Sequence, residues 1–255
     1  KAHAVYQELG APEDLADHIE RAATPLIRQG RSQTLKRWLA DLPASLVEKR
    51  PHLLSLKGAA ALMDADLRKA IQFLGQAIQA FTQANDPAGL ARAYARRATA
   101  YHFLGDYRAS LGDAEKLLEL SSWDPKLRDL YAEALNSKGM NLVWLGKPAE
   151  GLACLERSLG ISSELGDANN LFIVFQDLGA SYRSLGDVGR ARAYYLQALA
   201  CAQETKNAQK AASIHNNLGI LEHYLGDYPQ AFSSFDQSLR QARLAQVPRL
   251  EAFSL

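Results

Sequence analysis

Two cysteines and two methionines are all that the 255 residues hold of the sulfur amino acids, and neither charge sign is in excess. Cys154 and Cys201 form no Cys-x-x-Cys, which excludes a zinc knuckle and a disulfide framework. They predict free thiols in a reducing, cytoplasmic setting. Lysine plus arginine number 29 against 28 acids, a net charge of +1. A nucleic-acid binder needs a basic surplus to neutralise phosphates, so no direct nucleic-acid contact is expected. No apolar run is long enough to span a bilayer, so no membrane partner is expected either. A secretory leader is also missing, and the chain opens at Lys1 in a helix-like stretch, which predicts an excised piece of a longer protein.

Catalytic signatures are missing too. A phosphate loop needs Gly-x-x-x-x-Gly-Lys-Ser/Thr; in Gly139 to Lys147 Asn141 stands where the first glycine belongs, and Pro148 follows Gly146-Lys147. The six histidines make no His-Glu-x-x-His, and His215 and His223 lie two helical turns apart, about 12 Å, too far for one metal. No Gly-x-Ser-x-Gly elbow occurs. Neither catalysis nor a cofactor is expected in this segment.

What the chain does have is a period. Leu104-Gly105-Asp106-Tyr107 returns as Leu145-Gly146-Lys147-Pro148, Leu185-Gly186-Asp187-Val188 and Leu225-Gly226-Asp227-Tyr228, with the glycines 41, 40 and 40 apart by subtraction of their numbers. A fixed period marks a repeat solenoid. Small residues recur at Ala98, Gly139, Gly179 and Gly219, then at Ser110, Gly151, Ala191 and Ala231, among large apolar residues at helical spacing. Each unit therefore reads as an antiparallel helix pair. Glycine ends the first helix in the left-handed conformation and Asp106, Asp187 or Asp227 caps the second, a cap that Lys147-Pro148 lacks. Asp86-Pro87, Asp124-Pro125, Asp167 and Asn207 cap the first helices, which predicts helices of roughly 16 to 18 residues.

These columns resemble the tetratricopeptide repeat, lengthened from its usual period of about 34 residues, across residues 51 to 246. The predicted fold is all-α, a right-handed superhelical solenoid of antiparallel helix pairs. Ala65-Asp66 fills the turn slot of the earliest unit, and residues 13 to 42 form an irregular pair turning at Gln29-Gly30, with Pro25 breaking or kinking its first helix. The division expected is a lead-in segment over 1–50 and a single continuous solenoid over 51–255.

The lead-in carries a second resemblance. Gln29-Gly30-Arg31, Leu35, Trp38-Leu39-Ala40-Asp41-Leu42-Pro43 and Arg50-Pro51-His52-Leu53 resemble the start of the superhelical domain in maltose-regulator-like, large ATP-dependent LuxR-type bacterial transcription regulators. That resemblance implies a sensor domain for a small-molecule inducer, a peptide or a regulatory protein. It also implies a parent with a nucleotide-binding switch and a helix-turn-helix, domains this one would contact. A generic tetratricopeptide scaffold for a partner protein is the alternative.

A solenoid of this kind lines its concave wall with first-helix positions i, i+4, i+7 and i+8. Those columns read Ala95, Thr99, His102 and Phe103; Asn136, Met140, Val143 and Trp144; Gln176, Ala180, Arg183 and Ser184; Asn216, Ile220, His223 and Tyr224. Asn136, Gln176 and Asn216, with Asn217 beside them, form either a carboxamide ladder able to donate to and accept from an extended peptide or sugar hydroxyls, or a merely solvated helix face whose neighbouring aromatics pack between units. Phe103, Trp144, Tyr224, His102 and His223 add apolar or stacking surface, and Arg96 and Arg183, with Asp177, offer recognition of an anion or ordinary ion pairs. Arg28, Arg31, Lys36 and Arg37 form a basic cluster read as a solvated face or a contact to another domain. Phe232, Phe235 and Leu239 would lack cover at the last repeat, which predicts self-association.

Overall fold

The computed structural model describes residues 11–28 and 31–245. Thirteen helices and one short 3-10 turn follow one another there, with no strand among the described residues. They run α1 Pro12–Arg28, α2 Ser32–Ala40, α3 Ala44–Lys49, α4 Pro51–Met63, α5 Leu67–Ala84, α6 Pro87–Leu104 and α7 Tyr107–Ser121. After the turn Pro125–Leu127 come α8 Arg128–Trp144, α9 Pro148–Leu165, α10 Ala168–Ser184, α11 Val188–Glu204, α12 Ala208–Tyr224 and α13 Tyr228–Ala245. Two compact units divide at Asn141 and Leu142, inside α8.

The turn chemistry is that of the sequence. Gly105, Gly146, Gly186 and Gly226 all have positive φ, between 78° and 85°. Asp106, Asp187 and Asp227 accept from the backbone N–H of Ala109, Arg190 and Gln230. Ala65 adopts φ 59° in the slot where later repeats place glycine, and Asp66 caps Lys69 behind it. On the first helices Asp86, Asp167 and Asn207 cap likewise.

Lys147 makes no side-chain cap. Asp86-Pro87 shows that aspartate before proline caps this type of helix start, so Lys147→Asp should stabilise the fold by about 1 kcal/mol. A thermal midpoint no higher than that of the parent would refute this, since the exposed Lys147–Glu150 pair that is lost contributes little.

In the first unit, α1 to α3 are not a separate layer. Leu15, Ile19 and Leu26 share one buried cluster with Leu35, Leu39, Val47, Leu53, Phe81 and Ala93, so the core runs without a break through residue 50. α1 remains helical through Pro25. The Gln29-Gly30 turn and the Arg28 side chain lie outside the described residues. Pro43 and Pro51 open α3 and α4, since proline's fixed φ suits a helix start. Arg50 between them donates to Glu13 and Asp17 at 2.6 and 2.5 Å, tying the α3–α4 junction to α1.

Close helix approach explains the small-residue columns. A Cβ at Gly58 would fall 2.5 Å from Leu74; one at Gly179 would fall 2.6 Å from the Tyr195 ring, and one at Gly219 2.7 Å from Phe235. Leu74, Tyr195 and Phe235 hold the same second-helix column. At the repeat after that of Gly58, Ala98 and Ala114, both fully buried, trade the large residue for a smaller pair. In the second unit Tyr195, fully buried, thus fills the space over Gly179.

Candidate functional site

In the first unit the first helices are α4, α6 and α8, and polar side chains link them. Arg96 on α6 donates through Nη1 to Ser55 Oγ at 2.6 Å and to the Ser55 carbonyl at 3.4 Å on α4. Burial draws its pKa down, opposed by Glu133 on α8 and reinforced by Arg92. The next residue differs: Arg97 makes a bidentate pair with buried Asp113 at 2.7 and 2.8 Å, flanked by the Tyr94 and Tyr101 rings.

His102 belongs to a buried relay. Asn141 donates from Nδ2 to Ser110 Oγ at 2.7 Å and to the Ser137 carbonyl at 2.8 Å, and Ser110 donates on to the Ala98 carbonyl at 2.7 Å. The carboxamide oxygen must then accept from His102 Nδ1 at 2.9 Å, which fixes the ring tautomer with Nε2 as the free lone pair when neutral. Asn141, the residue standing in place of a phosphate-loop glycine, is structural. Asn136 and Met140 are buried, whereas Phe103 is exposed.

The second unit contains Trp144, Gln176, Arg183, Asn216, Asn217, His223 and Tyr224. Gln176, Asn216 and Asn217 are part-buried on neighbouring first helices α10 and α12. Ser213 lies 3.4 Å from Gln176 Oε1, and Lys210 donates to Asn169 Oδ1 at 2.8 Å with its ammonium 4.5 Å from the Phe172 ring centroid. Arg183 turns toward the second helix: its Nε is buried, and it draws down the Tyr195 phenol pKa that burial raises. Burial also lowers the His215 pKa. Trp144, His223 and Tyr224 are exposed, and His223 meets Tyr228 edge-on at 5.5 Å.

Ser55, Lys210, Asn169 and Ser213 were not singled out by sequence. Only the 40-residue period, applied to every polar first-helix position, would have suggested them. Phe232 at the last repeat is exposed while Phe235 and Leu239 are part-buried; residues 246–255, where a further helix was expected, lie outside the described residues. Among the described residues no group of three or more His, Cys, Asp or Glu could hold a metal, and no helix is long and apolar enough to cross a membrane.

Residues 130–204 match one tetratricopeptide-repeat family profile and residues 91–122 another. Both segments are tetratricopeptide repeats. No curated protein matches the chain in sequence. Among solved structures it is similar to a Rap protein complexed with competence and sporulation factor, at 16% identity and TM-score 0.75, covering 95% of this chain and 80% of that one. It is similar to NprR in complex with its cognate peptide NprX, at 16% identity and TM-score 0.75, over 99% and 75%. BtubC from P. vanneervenii is similar at 20% identity and TM-score 0.59, over 91% and 92%. At these identities the likeness is one of fold.

Proposed function

We propose that the chain is a tetratricopeptide scaffold whose first-helix faces hold an extended polypeptide segment of a signalling peptide or partner protein. The observation that carries this is the face shared by α10 and α12, where Gln176 and Asn216 stand part-buried on adjacent helices with Ser213 between them. Carboxamides both donate and accept, which suits a peptide backbone whose own groups must be paired on binding. The NprR structure in complex with its cognate peptide, and the Rap protein complexed with competence and sporulation factor, are consistent with that use. The further setting, a sensor domain in a signal-transduction ATPase that controls transcription, rests on the resemblance carried by Gln29 to Leu53 and the elongated repeats that follow.

Calorimetry against a library of short peptides is the test. Asn216→Ala and Gln176→Ala should each weaken a bound peptide by on the order of 1 kcal/mol, about fivefold, with the thermal midpoint nearly unchanged. A peptide whose affinity neither substitution alters would place binding elsewhere.

A further inference from the structure

A cleft of about 400 Å³ opens in the first unit between α2 and the α4–α5 hairpin. Lys57, on its wall, is two residues from Ser55 along α4, a rotation of about 200°, so the cleft lies on the opposite side of that helix from Arg96. It is therefore separate from the first-helix face. Its floor is apolar: Leu39, Leu42, Ala60 and Ala61 are buried side chains that nonetheless line it, and Phe73 closes one wall.

The charges around the mouth decide what fits. Lys36 is paired with Asp64, and Lys69 with Asp66 at 2.7 Å, so each couple is neutral. Lys57 is different. Its ammonium stands 5.5 Å from the Phe73 ring centroid, and among the described residues no carboxylate lies within ion-pairing distance of it. One uncompensated positive charge over an apolar floor calls for one negative charge on an apolar body. The volume sits within the range of small-molecule sites, roughly 300 to 1,000 Å³.

We propose that this cleft binds a small apolar monocarboxylate, such as a medium-chain fatty acid, with its chain on Leu39, Leu42 and Phe73 and its carboxylate at Lys57. A monoanion is favoured over a phosphate because the mouth carries a single net charge. The cation over Phe73 is held by the ring face until the carboxylate arrives, which keeps it at the mouth rather than extended into water.

Decanoate is the probe, titrated by calorimetry below its micelle-forming concentration, with decanol and decylamine as neutral and cationic homologues. One saturable site per chain is expected, with decylamine bound more weakly than decanol. Lys57→Gln should weaken decanoate about three- to fivefold, the range of a partly exposed ion pair, and leave decanol unchanged. Ala61→Phe, which fills the floor, should abolish binding of both. Absence of saturable decanoate binding overturns the proposal, as does equal affinity for decylamine. Binding that survives Ala61→Phe would assign the ligand to another apolar surface, such as exposed Phe232, and also overturns it. Should Ala61→Phe lose helicity, Lys57→Gln decides alone: an unchanged ratio of decanoate to decanol affinity rejects the site.

Discussion

Gly179→Ala should lower the stability of the second unit by about 2 kcal/mol, whereas Gly160→Ala, also inside a helix of that unit, should raise it by up to about 1 kcal/mol. Both replacements improve helix propensity equally. The difference is space: a Cβ at Gly160 meets nothing within 4 Å, while one at Gly179 falls 2.6 Å from ring carbons of the fully buried Tyr195. Neither helix can retreat, because the Tyr195 ring fills a close-packed layer in which Ala198 and Leu178 are also fully buried. Shrinking the ring should relieve the clash. Tyr195→Leu alone leaves a cavity, but combined with Gly179→Ala the two losses should fall short of their sum by on the order of 1 kcal/mol. Urea unfolding followed by helicity gives all four values. Strict additivity would mean that the methyl and the ring do not meet.

That glycine column shows how far the sequence could be read. The period, the positive-φ turns and the caps are local chemistry written within four residues of each other, and they were legible. The match of Gly58 to Leu74, Gly179 to Tyr195 and Gly219 to Phe235 is also written there, 16 residues apart, but it needs the helix pair to be known before it acquires meaning. The inner face was less legible. A fixed i, i+4, i+7, i+8 register places Ala95 and Asn136 on the wall, yet both are buried, and in the first unit it is Arg96, one residue or about 100° further round, that meets Ser55. Helix rotation is set by which side chains pack between layers, here Ala95 against the cluster of Leu117, Leu127 and Leu130, and no single helix carries that information. The His102–Asn141–Ser110 relay was hidden for the same reason, since its partners are 31 and 39 residues apart.

Adjacent arginines on α6 should respond oppositely to the same change. Arg97→Met is expected to cost about 3 kcal/mol, because it leaves the Asp113 carboxylate, only 8% exposed, buried without the two N–H donors that satisfy it. Arg96→Met should leave stability unchanged or slightly higher. Its guanidinium is half-buried and bonded to neutral Ser55, with Glu133 acting on it from α8, so its removal strands no bonded carboxylate, and a thioether of similar length fills the space. A peptide carboxylate held at the α4–α6 face of the first unit should bind about tenfold more weakly to Arg96→Met, the effect of losing a charge-assisted hydrogen bond. Amidating the peptide C-terminus, and separately replacing its Asp and Glu by Asn and Gln, identifies which carboxylate is read. Urea midpoints of the two variants settle the structural half: if Arg96→Met destabilises as much as Arg97→Met, Arg96 is a tie between α4 and α6.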